Sequence, residues 1–373
     1  MRIFHIQAAA VTEVDASEGL AKAVLPAKGF IWLAFARREF EVQQNAVQAV
    51  LQSVCGLQLV DLHISDLINN QLPSHYDYTS QYDLLVFRRL AAGLRPTDPE
   101  HPGEPLHVAP TGGGPPILRR IDTSPVGFAV MDRLLLTVHP TDCTVRDAYA
   151  VKLLQAASSE SRAAGARLPT SPADLMLRIV NQMVDGFLEL RRELTHQLDN
   201  WQSELLNPKT RFNNWGALLD ARLSLHNLDE VCEDQRSAIQ DWIEAVKTWP
   251  PADTPAEQRE RDLLQVRSRD VLEHIERVVH HVQRLEQSVE TAVQMHFSVQ
   301  GSRTNDIMRT LTVLTAIFLP LNLITGFFGM NFEFLPLIHN PTAFWWTFFS
   351  MIGIAIATVL FFWRKRYLAR SGR

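Results

Sequence analysis

The sequence predicts an α+β membrane protein with a cytoplasmic α/β domain, a long helical stalk or funnel, and two C-terminal transmembrane helices. Short apolar strand patterns alternate with helical patterns in the first part of the chain, and helical patterns dominate from Ser171 onward. Two later stretches contain no charged side chain. These observations divide the chain into an α/β domain (1–165), a helical region (166–256), a stalk helix (257–309), a first span (310–332), a loop (333–342), a second span (343–363) and a tail (364–373).

Each uncharged stretch is long enough to cross a hydrocarbon layer of about 30 Å as a helix that rises about 1.5 Å per residue. The loop between them carries Glu333 and His339 but no lysine or arginine. Basic residues instead follow the second stretch: Arg364, Lys365, Arg366, Arg370 and Arg373. This asymmetry predicts an inner (plasma) membrane protein whose loop is external and whose termini are both cytoplasmic. No apolar segment with a cleavage site follows Met1, which agrees with that orientation.

Composition argues against several other classes of protein. The net charge of −5 is mild and gives no reason to expect a nucleic-acid partner. Cys55, Cys143 and Cys232 are scattered, so neither a disulfide framework nor a cysteine zinc site is predicted. The sequence offers no Ser-His-Asp, Cys-His or paired-carboxylate pattern that indicates hydrolysis, so we expect no enzymatic activity and no cofactor.

The α/β domain contains four clear strand patterns and one helix pattern. Phe30–Phe35 and Leu84–Phe87 are apolar and predict buried strands. Gly127–Met131 and Leu134–Val138 predict a hairpin whose turn is Asp132-Arg133. Apolar residues at helical spacing predict a helix over Phe40–Val54.

Residues 95–125 have the composition of a surface insertion. They include eight prolines and the run Gly112-Gly113-Gly114. Such composition favours a flexible segment that does not contribute to a core. The glycines are not expected to bind phosphate, because neither a Lys-Ser/Thr pair nor a helix start follows them.

The helical region begins with a recognisable helix start, and the stalk that follows it is predicted from one long apolar seam. Ser171-Pro172-Ala173-Asp174 is typical of a helix start, with a serine cap and an acid in the first turn. Later residues alternate in steps of four and three, a period of 3.5 that indicates long helices packed side by side. We expect the seam helix to continue into the first span, over about 100 Å, and copies of the same chain to supply its neighbours. The seam consists of Val271, Ile275, Val278, Val282, Leu285, Val289, Ala292, His296 and Val299.

The tripeptide Gly329-Met330-Asn331 lies where the first span meets the external loop. With Thr304–Met308, Leu311-Thr312 and Phe318–Leu321 before it, this region resembles the CorA family of divalent-cation channels. The resemblance implies a homopentamer with a narrow axial pore, and a selectivity filter formed by Gly329, Met330 and Asn331. The pore-facing residues that it implies are Asn305, Met308, Leu311, Thr315, Leu319, Asn322 and Gly326.

The pore residues also share one helix face on spacing alone, because they recur every three or four positions. A second interpretation is that this face only packs against other helices, with Asn305 and Asn322 forming hydrogen bonds between them. The pore interpretation suits hydrated Mg²⁺, which releases its water reluctantly. Neutral amide oxygens of Asn331 would hold that water without binding the ion too tightly. Met308, Leu311 and Leu319 would form apolar constrictions that gate by dewetting.

Two acids in the soluble part complete the resemblance. Residues Leu62–Asn69, which include Asp66, resemble an acidic helix of the family, and Asp270 lies where the family has a second carboxylate. In relatives these groups bind intracellular Mg²⁺ between subunits as a closing signal. Ser65 differs from the glutamate common there, and the alternative is that both acids are simply solvated.

Three stalk histidines and the external loop carry the remaining candidate features of the sequence. His274 and His281 are seven residues apart, so both could lie on one helix face and bind a zinc ion. We expect instead that these two histidines and His280 are solvated.

In the external loop, Glu333 is retained, whereas Leu337 replaces a glutamate common in the family. A less negative mouth would attract cations less strongly.

The sequence therefore predicts a channel that moves Mg²⁺ inward, with Co²⁺ or Ni²⁺ as further ions, and whose partners are copies of itself, lipids and divalent cations. Mg²⁺ would be both the transported and the regulatory ion. One alternative is a Zn²⁺ transporter of the ZntB type. Another is a non-conducting, membrane-tethered coiled-coil scaffold, which would not need uncharged polar residues such as Asn305, Thr315 and Asn322 on one face.

Overall fold

The structure is a computed structural model of the chain, and it divides into two compact units, Met1–Thr291 and Ala292–Arg373. The residues described are 1–8, 10–14, 20, 25–93, 102–103, 115–158, 167–206, 215–330 and 341–365.

The first unit is built on a seven-stranded sheet of order β2-β1-β3-β9-β8-β5-β4, in which β3 and β9 pair in parallel and the other neighbours are antiparallel. The predicted strands over Phe30–Phe35 and Leu84–Phe87 are confirmed, as is the hairpin, whose turn is closed by a 2.9 Å bond from Met131 N to Leu134 O. The strands are β1 (Arg2–Ile6), β2 (Val11–Val14), β3 (Phe30–Ala36), β4 (His75–Tyr78), β5 (Asp83–Arg88), β6 (Ala91–Ala92), β7 (Ile121–Asp122), β8 (Pro125–Val130) and β9 (Leu134–His139), with β6 and β7 forming a separate pair.

Short helices complete the α/β part: α1 (Arg37–Val42), α2 (Gln44–Cys55), α3 (Asp61–Ile68) and α4 (Thr144–Ala156). The single helix predicted over Phe40–Val54 was wrong in its extent, because the backbone leaves helical geometry at Gln43 and separates α1 from α2. Leu51 and Leu67 are buried in the same core as Leu136. A Cβ at Gly127 would lie 2.3 Å from Leu67 Cδ2, so glycine is what lets α3 approach β8.

The prediction of a surface insertion over 95–125 was wrong for its last part. A short 3₁₀ helix at Pro116–Arg120 leads into β7, and Ile117 and Leu118 are buried. Ser124 is also buried, and its hydroxyl donates to Asp122, which pairs with the buried Arg89. A few apolar residues and one buried ion pair thus anchor a segment that is otherwise rich in proline. Most of residues 95–114, with the three glycines, lie outside the described residues.

The long helices are α5 (Pro172–Leu206), α6 (Trp215–Thr248), α7 (Pro255–Phe328) and α8 (Pro341–Arg364). The predicted start of α5 is confirmed: Ser171 Oγ accepts from Asp174 N at 3.3 Å, and the Asp174 carboxylate accepts from Thr170 N at 3.1 Å. Asp174 is fully buried and also pairs with Arg267 of α7 at 2.6 Å. Because a buried charge without its partner is costly, this pair fixes the start of α5 against α7.

The seam of α7 is buried within a single chain. Val271, Ile275 and Val282 are each at most 1% exposed. Helix α5 contacts this part of α7 through a Gln202–Ser288 hydrogen bond of 2.8 Å, and α6 through a Trp242–Ser268 bond of 2.9 Å. The expectation that other copies cover the seam was therefore wrong for Val271–Val289, where α5 and α6 of the same chain pack against α7. The period of 3.5 correctly indicated a buried face.

Candidate functional site

Two described helices are long and apolar enough to cross a membrane, judged by length and composition. The most apolar 18-residue stretch of each helix, one within Pro255–Phe328 and one within Phe344–Arg364, has a mean hydropathy of 1.9. Only 6% of the first stretch and 0% of the second are buried within the chain. A surface that is so apolar and so exposed needs lipid or other protein around it.

Within the second unit, one face of α7 is less exposed than the rest. Val313 is only 3% exposed, and partly buried residues extend this face in both directions along the helix. Helix α8 has a corresponding stripe at spacings of three and four residues, and we infer that the two stripes face each other. On α7 the partly buried residues are Arg309, Ala316, Ile317, Pro320, Leu321 and Ile324, and on α8 they are Thr347, Met351, Ile354, Ala355, Thr358 and Phe362.

From Met308 onward the predicted pore residues lie on the side of α7 away from Val313, whereas Asn305 lies only about 80° from it around the helix. Successive residues are about 100° apart around a helix, which puts Leu311 and Thr315 about 160–200° from Val313. Leu311 is 60% exposed and Leu319 is 69% exposed, and all seven predicted pore positions are exposed in the single chain. The face that carries Thr315 and Asn322 is thus the exposed face of α7 within the second unit.

The polar groups of this face differ in how they are satisfied. Thr315 Oγ1 donates to Leu311 O at 2.9 Å, so its proton is used by the helix backbone while its lone pairs remain available. Asn305 and Asn322 are exposed, and neither amide group has a hydrogen-bond partner within the described part of the chain. Unpaired amides on an apolar helix need water, an ion or a neighbouring copy as a partner.

Helix α7 ends at Phe328, two residues before the described chain stops at Met330. Gly329 N donates to Thr325 O at 2.9 Å, and a Cβ at Gly329 would lie 3.0 Å from the same oxygen. This close approach favours glycine at 329, because a larger residue would have to shift the backbone by a few tenths of an ångström. At Gly326 a Cβ would meet no atom within 4 Å, so crowding within one chain does not explain it. Asn331 of the predicted filter lies outside the described residues, as do Glu333 and Leu337.

The two predicted regulatory acids have different neighbours within the chain. Asp66 of α3 is 19% exposed, and its carboxylate lies 3.9 Å from His75 Nε2. Asp270 of α7 is 62% exposed, and its carboxylate lies 3.9 Å from His274 Nε2. Within the described ranges no hydrogen bond or ion pair joins the two acids, and no group of three or more histidine, cysteine or acidic residues is arranged to hold a metal ion.

The helix that carries Asp66 is held by a hydrogen-bond network that the sequence did not reveal. His63 of α3 is buried; its Nδ1 lies 2.7 Å from Tyr82 Oη, and its Nε2 lies 3.1 Å from Asp77 Oδ2. Burial raises the pKa of Asp77, but hydrogen bonds from the Tyr78 N–H and from His63 outweigh it, so this pKa lies below its ordinary value. Tyr82 Oη also accepts from Val60 N at 3.0 Å. These bonds fix α3 to the β4–β5 hairpin.

The stalk histidines do not form the predicted solvated set. His280 is exposed, but His281 is 7% exposed, and its Nε2 lies 3.2 Å from Thr195 Oγ1. Burial, assisted by the positive charges of Arg191 and Arg284, lowers the pKa of His281 to about 4. The solvated interpretation of His281 was therefore wrong: the side chain is buried and neutral, beside the seam residue Val282 in the sequence. His274 is half-buried and lies 3.5 Å from Asp185.

Helix α8 has the residue distribution of a membrane span. Pro341 is its first residue, and exposed aromatic side chains cluster in its first three turns. Arg364 and Lys365 lie at the other end. Aromatic rings favour the membrane interfaces and basic residues favour the cytoplasmic side, so this arrangement agrees with the predicted orientation. The aromatic cluster consists of Phe344, Trp345, Trp346, Phe348 and Phe349.

Comparison with known proteins shows a family match over most of the chain and a similar fold in two solved structures. The family model described as "CorA-like Mg2+ transporter protein" matches residues 28–366. The fold is similar to that of the complete CorA magnesium transporter from Methanocaldococcus jannaschii, with a TM-score of 0.69, 17% identity, and coverage of 100% of this chain and 98% of that one. It is also similar to the full-length CmaX protein, with a TM-score of 0.58, 17% identity, and coverage of 98% and 97%.

Similarity to curated proteins is more partial. The chain is 23% identical to the cobalt/magnesium transport protein CorA of Thermotoga maritima over 194 residues, which are 52% of each chain. It is 22% identical to the magnesium transport protein CorA of Haemophilus ducreyi over 248 residues, which are 66% of this chain and 73% of that one. The chain thus spans about half the length of the first of these relatives.

The burial of His281 predicts how stability depends on pH. The folded state keeps His281 neutral down to about pH 4, whereas the unfolded chain binds a proton near its ordinary pKa of about 6.5. Protonation therefore favours unfolding, and the contribution of His281 to stability is lost as the pH falls from about 6.5 to about 4. In His281→Gln, the thermal midpoint should fall less steeply than in the wild type over this window. The exposed neighbour supplies the control, since His280→Gln should keep the wild-type slope; equal slopes in all three proteins would contradict the burial argument.

Proposed function

The chain belongs to the CorA-like Mg²⁺ transporter family, and from this premise we propose that it forms a membrane pore for divalent cations, with Mg²⁺ as the principal ion. One observation carries the proposal. Thr315 and Asn322, two uncharged polar residues of α7, lie on the exposed face opposite Val313, which we infer to point away from α8. A helix that only spans lipid has no use for such a stripe, because lipid cannot satisfy its amide groups.

A single chain cannot enclose a pore with one helix face, so the proposal requires several copies around an axis. By resemblance to the family we propose a homopentamer, in which the open face of each α7 points to the axis and α8 lies outside it. The exposed apolar surfaces support such an arrangement: Leu319 is 69% exposed and Leu323 is 74% exposed in the isolated chain. Gly326, which no neighbour within the chain crowds, would permit close approach of the copies near the outer end.

The proposed pore suits a hydrated ion. A ring of Asn331 side chains would accept hydrogen bonds from the water around Mg²⁺, so the ion would not have to lose its ligands at the mouth. Gly329 ends the helix just before that ring, and Met330 is 45% exposed beside it. Rings of Met308, Leu311 and Leu319 would form the apolar constrictions farther in. Co²⁺ and Ni²⁺, which have similar hydrated octahedra, are proposed as further ions.

The membrane potential is the proposed driving force. A divalent ion that moves inward gains about 4.6 kcal/mol per 100 mV, twice the value for a single charge. The basic end of α8, with Arg364 and Lys365, supports a position in the inner membrane with the first unit and both termini in the cytoplasm.

Regulation by cytoplasmic Mg²⁺ is proposed at Asp66 and Asp270. Asp270 is open to solvent, and Asp66 is held on a helix that the network of His63 fixes, so both carboxylates could face a second copy. An ion between them would join neighbouring copies and favour the closed pore. Loss of that ion would release the contact.

The first test concerns the filter and the ion. Purified protein in liposomes should pass Mg²⁺, and Asn331→Ala should reduce that flux at least tenfold while the oligomer stays intact, because only the water-binding ring is lost. Flux should be compared for Mg²⁺, Co²⁺, Ni²⁺ and Zn²⁺. A preference for Zn²⁺ would support the ZntB-type alternative, and absence of flux for every ion would support a scaffold. Wild-type flux in Asn331→Ala would contradict the filter assignment.

The second test concerns the gate. Leu319→Ser should wet an apolar ring and raise leak at high internal Mg²⁺, because a dry constriction imposes a large dehydration cost on an ion. If Leu319 instead packs against a helix, the same change should lower oligomer stability in detergent and add no leak. Ile317→Ser, on the face towards α8, is the matched control and should destabilise without raising leak. The opposite pattern would require a rotated pore face.

The third test concerns feedback. The double change Asp66→Asn with Asp270→Asn should abolish inhibition by millimolar internal Mg²⁺. It should also reduce the protection of the first unit against proteolysis by Mg²⁺, since a ligand stabilises only the state that it binds. Asp199→Asn with Asp220→Asn neutralises two exposed acids elsewhere and serves as the control. Unchanged inhibition and protection in the first double variant would show that these acids are merely solvated.

A further inference from the structure

A cavity of about 990 Å³ opens in the first unit, apart from every residue proposed above for the ion. The β4–β5 hairpin, the end of α6 and the start of α7 form its walls, together with the turn between β8 and β9. Its volume lies at the upper end of the range typical of small-molecule sites, about 300–1,000 Å³, and is far larger than a metal ion needs.

Aromatic rings form one wall. Tyr76 and Tyr78 of β4 stack with their ring centroids 6.1 Å apart. Tyr76 packs edge-on against Trp242 at 5.9 Å, and Trp242 packs edge-on against Trp249 at 5.8 Å. Tyr78, Tyr76 and Trp249 line the cavity, and Tyr78 is 67% exposed. This wall thus exposes aromatic ring surface to the cavity, and contacts between the rings fix the positions of the side chains.

The lining is also strongly acidic. It has one basic side chain, Arg261, in the part of the chain that the structure describes. Several of the carboxylates already have a partner: Tyr76 Oη donates to Asp83 at 2.5 Å, and Lys247 Nζ donates to Glu244 at 2.6 Å. The lining carboxylates are Asp77, Asp83, Asp132, Asp241, Glu244, Glu257 and Glu260.

Three of these carboxylates are available to bind a ligand. Asp132, Asp241 and Glu260 accept no hydrogen bond and form no ion pair among the described residues. They come from three different walls: the β8–β9 turn, the end of α6 and the start of α7. A ligand that satisfied all three would need several positive groups along an extended chain.

We propose that this cavity binds a linear aliphatic polyammonium ion, a polyamine of the spermine type. Ammonium groups bind carboxylates and also the faces of aromatic rings, whereas the methylene segments between them pack on apolar ring surface. A divalent metal ion would use the oxygens but gain nothing from Tyr78, Tyr76 and Trp249. The ring wall and the spread of open carboxylates thus select an organic polycation over a metal. The proposal does not rest on transport.

The test uses the full-length protein in detergent with saturating Mg²⁺, so that sites for divalent ions are filled. Spermine is titrated by calorimetry, and the thermal midpoint is measured in parallel, since a ligand of the folded state should raise it. Asp241→Asn with Glu260→Gln removes two open carboxylates, and Tyr78→Leu removes a ring but keeps apolar bulk. Asp199→Asn with Asp220→Asn makes the same change of charge on α5 and α6 outside the lining.

We expect spermine to bind under these conditions and to raise the thermal midpoint. The carboxylate variant should weaken binding at least tenfold, Tyr78→Leu about three- to tenfold, and the control pair less than twofold. An equal loss in the control pair would overturn the proposal in favour of unspecific charge attraction. Unchanged affinity in Tyr78→Leu, or complete displacement of spermine by Mg²⁺, would overturn it in favour of an inorganic cation. Because neither readout involves flux, failure here is distinguishable from failure of the pore.

Discussion

One-sided burial of helix α7 is the constraint on which the rest of the structure depends. Its seam residues, such as Ile275 and Val282, are fully buried, and each such side chain contributes about 1.5–3 kcal/mol relative to exposure. Helices α5 and α6 exist as long elements because they cover this seam, and the buried Asp174–Arg267 pair fixes where α5 begins against it. Because one face of α7 packs against its own chain, only the other faces are available to bind other copies or ions.

The same division recurs in the second unit and gives the pore proposal its physical basis. Val313 is covered, while Leu311 and Thr315, close to it in sequence but on the other side of the helix, are open. The open face combines threonines that satisfy their own protons on the backbone with asparagines whose amide groups have no partner in the described chain. An apolar helix with such a face is stable in a membrane only if water or other copies meet that face. The proposed assembly and the proposed ion passage thus both depend on this one surface.

Features decided by local chemistry could be predicted from the sequence. The β8–β9 hairpin and the Ser171 cap follow from turn and capping residues, and the seam follows from its period. The source of the seam's partners could not be predicted, because periodicity indicates that a face is buried and says nothing about which chain covers it. The burial of His281 could not be predicted for a similar reason: a polar side chain gives no sequence signal of burial when its hydrogen-bond partner, Thr195, is far away in the chain.

The other differences between the predicted and the observed structure also come from tertiary contacts. Proline-rich composition suggested that residues up to 125 avoid the core, yet Ile117 and the Arg89–Asp122 pair anchor that segment. The network of His63 with Tyr82 and Asp77 joins groups whose proximity only the folded hairpin creates. For the candidate site, spacing was enough to place most of the predicted pore residues on one face. It could not show that the opposite face, with Val313, is buried within the chain.

Accessibility of substituted cysteines along α7 tests the central claim most directly. In liposomes holding protein whose native Cys55, Cys143 and Cys232 are replaced, single changes would be compared on the two faces of the helix. Leu311→Cys, Thr315→Cys and Leu319→Cys should react with a water-soluble, charged thiol reagent and lose Mg²⁺ flux on reaction. Val313→Cys, Ile317→Cys and Ile324→Cys should stay unreactive, because α8 covers them. Equal reactivity of both sets, or reaction confined to the second, would contradict the assignment of the open face to a water-filled pore.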